Sequence, residues 1–177
     1  MRSQAKSSLL GPTLGTILFV ALVPGTVVGL VPYRLSGWRL APPLLGWTAT
    51  RWIGVGLLLT GLPLFLGFLG RFVREGHGTP APVAAPERLV VGGAFRHVRN
   101  PGYIAVVAMV VGQGLLFGSG AVLVYALGLA LAFHLFVVLY EEPTLRARFG
   151  EDYAAYCRRV PRWIPRWRFE NERGGGA

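Results

Sequence analysis

The sequence predicts an all-α integral membrane protein with about four transmembrane helices, ending in a helical hairpin and an amphipathic cytosolic tail. Of its 177 residues, 53% are hydrophobic and only 15% are charged, whereas soluble domains carry about 25% charged residues. The net charge of +10 fits basic residues at the cytosolic edge of a membrane. These features exclude an ordinary soluble domain and argue against nucleic acid as a partner.

Four apolar segments are candidate spans, since a hydrocarbon core about 30 Å thick requires about 20 helical residues. They are Leu9–Val31, Trp52–Gly70, Tyr103–Phe117 and Ala121–Tyr140. We expect the first to be a helix bent at Pro24-Gly25, because its apolar stretch is too long for a signal peptide. The last two are separated only by the short segment 118–120, which predicts a tight antiparallel hairpin.

The distribution of basic residues predicts the orientation of these spans. With the amino terminus inside, 15 of the 18 lysines and arginines and all eight acidic residues face the cytosol. Both termini, and any site built from these polar residues, are then cytosolic. The single cysteine, Cys157, excludes an internal disulfide and a multi-cysteine metal site.

Between and after the spans, the sequence divides the chain further. Residues 72–102 read as an irregular linker with a strand-like run at Leu89–Val91. In the tail, apolar residues at helical spacing predict an amphipathic helix that ends near Pro161. The predicted units are residues 1–71 (two spans), 72–102 (linker and helix start), 103–168 (core and tail) and 169–177 (disordered end).

Arg99-Asn100-Pro101 marks the start of the third span. Asn100 and Pro101 are typical of the first positions of a helix. A helix start beside an arginine is also an anion site, suited to a carboxylate or a phosphate. The residues alone leave both interpretations open.

Glu141 and Glu142 follow the fourth span, where acidic residues oppose the helix dipole. They either pair with Arg96 or Arg99 or bind a positive or hydroxyl-rich ligand. His134 lies seven residues earlier and is expected on the same helical face, about 10 Å deeper. An ionisable residue inside a span is a functional candidate, with a neutral, hydrogen-bonded imidazole as the alternative.

Gly112-Gln113-Gly114 interrupts the third span with small and polar residues. Close packing of two membrane helices, bridged by Gln113, is the favoured interpretation. No strand precedes this segment, so it is not a dinucleotide-binding fingerprint.

From about Arg88 to Arg166 the chain resembles the isoprenylcysteine carboxyl methyltransferase family, which is similar to the phospholipid N-methyltransferases. Five segments carry the resemblance, in the same order as in the family. They are residues 89–95, with Gly92-Gly93 before Phe95; Arg99-Asn100-Pro101-Gly102-Tyr103; His134 to Glu142; residues 149–156, Phe-Gly-x-x-Tyr-x-x-Tyr; and residues 160–165, Val-Pro-Arg-x-Ile-Pro. Asn100 stands where many members have histidine.

The resemblance implies an integral membrane methyltransferase that uses S-adenosylmethionine, bound at the cytosolic ends of the third and fourth spans beneath the tail. It implies His134 as the catalytic candidate. The implied cofactor-binding residues are Arg99, Asn100, Tyr103, Gly112, Gln113, Gly114, Glu141, Glu142, Tyr153, Tyr156, Arg162 and Pro165. Methyl transfer mainly requires alignment of the nucleophile with the methyl group.

The acceptor is expected to be lipophilic and to reach the site through the bilayer. An isoprenylated cysteine carboxylate, a phospholipid amine and a small thiol all suit that position. The alternative from another class is a non-enzymatic membrane protein whose basic tail, with Trp163 and Trp167, binds anionic lipids. A membrane reductase would need a site for a nicotinamide cofactor. It is disfavoured because the sequence has no evident phosphate-binding signature.

Overall fold

The computed structural model describes residues 22–74, 89 and 91–166. These residues form α-helices joined by turns and contain no strand, so the all-α fold class is confirmed. The α-helices are α1 (Val31–Ser36), α2 (Ala49–Arg74), α3 (Pro101–Phe117), α4 (Gly120–Phe136) and α5 (Glu142–Arg159). The described residues also contain two π-helices, Gly25–Leu30 and Val137–Glu141, and two 3-10 helices, Leu44–Gly46 and Gly93–Arg96.

Several predicted features lie outside the described residues. They are the first half of the span Leu9–Val31, most of the linker, Val90, Trp167 and the end at 169–177. Leu89 and Val91 belong to no strand, so the described part of that strand-like run is not as predicted. The division of the chain into units stays a prediction.

The first helix is distorted where Pro24-Gly25 predicted a bend. A π-helix begins at Gly25 and leads directly into α1, which ends at Gly37 with a left-handed φ of 60°. An inserted π turn is one recognised cause of a helix kink. Val27 and Val28 of this segment pack against the core of the bundle.

Helices α2 and α3 pack closely through glycines. A Cβ atom on Gly112 would lie 2.9 Å from the carbonyl oxygen of Gly54, and one on Gly54 would lie 2.6 Å from that of Gly112. Two turns further along α2, a Cβ atom on Gly61 would lie 2.9 Å from Met109 Cγ, so this glycine makes room for a side chain of α3. Small residues allow membrane helices to approach until their backbones touch. The packing interpretation of Gly112 is therefore confirmed.

The predicted hairpin joins α3 to α4. Gly118 ends α3 with a left-handed φ of 69°, and the Ser119 hydroxyl caps α4 by accepting a hydrogen bond from the Val122 amide. The turn brings α4 back along α3, where Val110, Val122 and Ala126 form a buried cluster. The hairpin places the start of α3 beside the end of α4.

The tail continues α4 without a break in the helix. The π-helix Val137–Glu141 connects α4 to α5, which is kinked at Gly150, where φ is 52°. After this kink, Tyr153, Tyr156 and Val160 form a buried cluster. The amphipathic tail helix is thus confirmed, and it covers the polar end of the hairpin.

The outer faces of the long helices are apolar. On α4 the exposed residues include Val124, Leu127 and Leu131, and α2 exposes Leu59 and Leu66. Residues 49–71 and the helical run from Gly120 are long and apolar enough to cross a membrane, whereas α3 is shorter. An extensive apolar exterior is what helices in contact with lipid require.

Candidate active site

The start of α3 is fixed by the tail rather than by its own cap. Asn100 occupies the N-cap position, yet its side chain accepts no hydrogen bond from the helix. Its Nδ2 instead donates to the Arg162 carbonyl oxygen at 3.2 Å. Asn100 and Pro101 thus occupy the first positions of the helix as predicted, but the Asn100 side chain joins α3 to the segment after α5 instead of capping the helix.

Glu142 is held by two arginines. Arg99 Nη1 lies 3.0 Å from its Oε1, and Arg162 donates from Nε at 2.6 Å and from Nη2 at 2.9 Å. The carboxylate side chain is only 7% exposed, and such forked pairs are strong and directional. The hydrogen bond that Arg162 donates to the Glu142 carboxylate raises the pKa of the Arg162 guanidinium. Glu142 is thus fully compensated and fastens the tail to the hairpin.

Glu141 has a different environment from its neighbour. Its Oε2 accepts a hydrogen bond from the Tyr103 hydroxyl at 2.9 Å. In the described part of the chain, no basic side chain forms a salt bridge with it. The Tyr103 ring packs against Phe133, with ring centres 4.7 Å apart. Adjacent carboxylates are therefore separated into one that is neutralised by the protein and one that is not.

Two cavities meet at this cluster. The larger, about 200 Å³, is mainly apolar and ends at Arg99, Asn100, Tyr103 and Glu141. The smaller, about 110 Å³, lies beneath the tail and is lined by Glu142, Tyr153 and Tyr156 among others. Both are bounded by Phe95, Arg99, Asn100 and Glu141, and because charged side chains line them we call these two the polar cavities. Small-molecule sites usually enclose about 300–1,000 Å³, so a ligand of cofactor size would have to occupy both.

Arg99 carries an unsatisfied donor between these cavities. Its Nη1 donates to Cys157 Sγ at 2.7 Å and pairs with Glu142. Its Nε is buried without a hydrogen-bond partner. A buried donor without a partner costs about 1–3 kcal/mol. The Nε–H group of Arg99 is suited to donate a hydrogen bond to an acceptor oxygen of a ligand.

The segment 160–166, here called the strap, covers the start of α3. The Arg99 amide donates to the Pro161 carbonyl oxygen at 2.9 Å, and the Arg166 amide donates to that of His97 at 3.1 Å. Tyr156 adds a hydrogen bond from its hydroxyl to the Phe95 carbonyl oxygen at 2.8 Å. Tyr153, Tyr156 and Arg162 are thus brought to the site, whereas Pro165 is exposed and lines neither cavity.

His134 lies apart from the acidic pair. Its Nδ1 accepts a hydrogen bond from Trp163 Nε1 at 3.1 Å. It borders a third cavity of about 460 Å³ that is almost entirely apolar, whereas Glu141 borders the two polar ones. The π-helix Val137–Glu141, which has more residues per turn than an α-helix, lies between the two residues, and they line different cavities. Their expected common face stays a prediction.

The glycine and glutamine segment of α3 is also remote from the cluster. Gln113 lies about 20 Å along the helix from Asn100. Its Nε2 donates to the Val28 carbonyl oxygen at 2.8 Å, and its Oε1 accepts from Trp38 Nε1 at 3.0 Å. Gly112 packs on α2 and Gly114 on Leu123 of α4. None of the three lines the polar cavities.

Among the residues that the sequence did not single out as part of the site, Phe95 and Cys157 contact its polar side chains or line its cavities. Phe95 lines both polar cavities, and its carbonyl oxygen binds Tyr156. Cys157 accepts a hydrogen bond from Arg99. Phe95 belongs to the segment after Gly92-Gly93, which is a usable signal. Nothing in the sequence around Cys157 indicates a partner 58 residues away.

Residues 49–152 match the sequence profile described as phospholipid methyltransferase. The match covers more than half of the chain. The chain belongs to the phospholipid methyltransferase family. No curated protein and no solved structure matches it in the other two comparisons.

Membership in the phospholipid methyltransferase family confirms the relationship inferred from the motifs and supports a membrane methyltransferase. The matched range contains Arg99, Asn100, Tyr103 and both carboxylates of the acidic pair. It ends at Asp152, before the tyrosine cluster and the strap. The described site is therefore built partly from matched helices and partly from a tail beyond the match.

Proposed function

We propose that this membrane methyltransferase uses S-adenosylmethionine and transfers its methyl group to a lipophilic acceptor. The observation that carries the proposal is the uncompensated carboxylate of Glu141 at the junction of two cavities, beside the unsatisfied Nε of Arg99. S-adenosylmethionine carries a sulfonium, an ammonium and a carboxylate. The Glu141 carboxylate is complementary to the positive groups, and the unpaired Nε–H donor of Arg99 is complementary to the carboxylate.

The residues present fit this cofactor. Arg99 Nε would bind its carboxylate, and Glu141 would compensate its positive charge. Phe95 and the tyrosine pair of the tail would enclose its apolar parts, since they line the smaller cavity. The Glu142 carboxylate, already neutralised by arginines, would act by positioning Arg99 and the strap. When bound, the cofactor supplies an electrophilic methyl carbon on a sulfonium sulfur.

The side chains of the site have three tasks in this reaction. Arg99 and Glu141 orient the ligands, since alignment is the main requirement of a methyl displacement. The buried cluster of Tyr153, Tyr156 and Val160 excludes water. Glu141 Oε2, which holds the Tyr103 hydroxyl proton in a hydrogen bond, is placed to take the proton that an ammonium acceptor must lose before attack.

The same carboxylate favours one class of acceptor. An acceptor carboxylate beside Glu141 would be repelled by its charge, whereas an amine would be attracted. We therefore place a lipid amine ahead of a prenylcysteine-like carboxylate or a small thiol. The third, almost entirely apolar cavity, which Tyr103 and Phe133 also line, is available to the hydrocarbon part of such an acceptor.

We propose further that the chain crosses the membrane several times with the site on the cytosolic side. The described arginines near the site include Arg96, Arg99, Arg158 and Arg162, whereas the opposite end carries Arg34, Arg39 and Arg51. An excess of basic residues marks the cytosolic side. Protease protection of tagged termini in oriented vesicles tests this orientation.

Two measurements test the proposed activity. Calorimetry with S-adenosylhomocysteine should show binding to the purified chain and weaker binding to Arg99→Met. Glu151→Gln is the matched control, because the Glu151 side chain is 80% exposed and pairs with Arg158 on the surface. Incubation with methyl-labelled cofactor and lipid extract should label an amine-bearing lipid. No binding of either cofactor form would contradict the proposal and favour a lipid-binding role.

A further inference from the structure

At the end of the bundle opposite the site, the loop of residues 37–48 exposes large apolar side chains. Leu45 is 92% exposed and Trp47 is 71% exposed. Leu40 in the loop and Trp52 just beyond it are exposed as well. The loop thus presents large apolar side chains to its surroundings, beside the exposed polar residues Arg39 and Thr48.

The loop is held in a fixed conformation despite this exposure. The Ala41 amide donates to the Phe117 carbonyl oxygen at 3.1 Å, and Arg51 Nη2 donates to the Ala41 carbonyl oxygen at 2.6 Å. The Pro42 carbonyl oxygen lies where a Cβ of residue 118 would be, so Gly118 is required for this contact. The loop is therefore fastened to the turn between α3 and α4.

Two non-glycine residues of the loop adopt a left-handed backbone. Trp38 has a φ of 51° and Leu45 a φ of 56°. Such conformations cost of the order of 1–3 kcal/mol each. At Leu45 the strained residue forms the tip of the 3-10 helix Leu44–Gly46 and directs an apolar side chain outward. In water, exposing the Leu45 side chain would give no favourable free energy to offset the cost of its left-handed backbone.

The backbone of the loop is adapted to a medium with little water. Most of its amide groups donate within the protein; these are the amides of Gly37, Trp38, Arg39, Ala41, Gly46 and Trp47. Pro42 and Pro43 have no amide hydrogen to satisfy. Backbone groups near hydrocarbon must find partners inside the protein, and this loop largely meets that requirement.

The length of α3 sets the depth of the loop. Its 17 residues span about 25 Å, which is less than the hydrocarbon core of about 30 Å. One end of α3 carries the charged cluster around Glu142, which requires the membrane surface. The loop bonded to the other end then lies at or within the opposite hydrocarbon boundary.

We propose that the loop 37–48 is a membrane anchor that inserts Leu45 and Trp47 into the opposite leaflet. The bilayer itself is the partner. Tryptophan is typical of the boundary between headgroups and acyl chains, and the exposed Arg39 guanidinium is complementary to lipid phosphates. The anchor fixes the depth of the α2–α3 pair and so the height of the charged cluster at the other surface.

A fluorescent reporter in the full-length chain tests this proposal. In a Cys157→Ser background, a nitrobenzoxadiazole label is placed at Leu45→Cys, and the protein is reconstituted in phosphatidylcholine vesicles containing nitroxide lipids. The matched control is a label at Glu151→Cys on the exposed face of the tail. A label at Trp47→Cys provides a second reporter if the first variant folds poorly.

We expect the label at position 45 to have blue-shifted emission, strong quenching by nitroxide lipids and several-fold weaker quenching by aqueous iodide than the label at position 151. Strong iodide quenching at both loop positions would overturn the proposal. Protection from both quenchers would overturn it too, since it would show that another protein copy covers the loop. None of these readouts depends on catalytic activity.

Discussion

Polar side chains occur at both ends of α3, but their environments differ. At the turn end, the Gln113 amide donates to the Val28 carbonyl oxygen and accepts from Trp38. At the other end, Glu141 has only the Tyr103 hydroxyl. A buried Nε without a partner occurs at both ends, in Arg51 and in Arg99, but only that of Arg99 belongs to a residue that lines the two cavities beside Glu141. A group whose hydrogen bonds are complete serves packing, whereas an uncompensated group beside a cavity indicates a ligand. This contrast decides which polar residues belong to the site.

The largest effect should come from Glu142→Gln. The change removes the charge that neutralises Arg99 and Arg162 in a largely buried cluster. Breaking a buried pair by removing one partner costs about 3–5 kcal/mol, and partial exposure of Arg162 places this variant near the lower value. Denaturation in micelles should show the lowered free energy of unfolding.

The exposed pair of Glu151 with Arg158 provides the control for that measurement. Glu151→Gln should change the free energy of unfolding by at most about 0.5 kcal/mol. An equal loss in both variants would show that the cluster around Glu142 is no more than a surface ion pair.

Gly112→Ala should affect the structural end of α3 alone. The new Cβ would lie 2.9 Å from the Gly54 carbonyl oxygen, so α2 and α3 must separate. Overpacking of this kind costs about 1–3 kcal/mol. Cofactor affinity per folded molecule should remain unchanged. A loss of cofactor affinity with unchanged stability would instead show that Gly112 contributes to cofactor binding, as the family resemblance implies.

Glu141→Gln should affect binding without loss of stability. It removes an uncompensated charge, and we expect affinity for S-adenosylmethionine to fall about tenfold, equivalent to about 1.4 kcal/mol. S-adenosylhomocysteine lacks the sulfonium charge and should lose less. Calorimetry with both ligands measures this difference. An equal loss for both would place the ammonium group beside Glu141, and no loss for either would remove Glu141 from the site.

The smallest effect is expected for His134→Asn. The asparagine oxygen can still accept the hydrogen bond from Trp163, which His134 Nδ1 accepts in the structure. Methyl transfer should therefore be nearly unchanged. A general base would contribute about 100-fold or more, so a loss of that size with an altered pH profile would establish His134 as catalytic despite its distance from the polar cavities.

The parts of the fold that could be predicted depend on local signals. Hydropathy and the segment 118–120 located the hairpin, and Asn100-Pro101 located the start of α3. The spacing of Tyr153 and Tyr156 predicted the buried face of α5. The acidic pair was identified as exceptional because few acidic residues occur in the chain.

The remaining features depend on long-range contacts or on irregular helix geometry. The sequence could not show that adjacent carboxylates take different partners, since Arg99 and Arg162 approach Glu142 from distant segments. The π-helix Val137–Glu141 interrupts the α-helical periodicity that the sequence analysis assumed between His134 and Glu141. Nothing in the spacing of the residues indicates this interruption. The partners of Gln113 lie 75 and 85 residues away.

The most direct measurement compares Glu141→Gln with Gln113→Leu in titrations of S-adenosylmethionine. Both variants remove one polar function, and they do so at opposite ends of α3. We expect affinity to fall for Glu141→Gln and to match the parent chain for folded Gln113→Leu. Unchanged affinity in Glu141→Gln together with a loss in Gln113→Leu would contradict the assignment of the site to the end of α3 where Glu141 lies uncompensated.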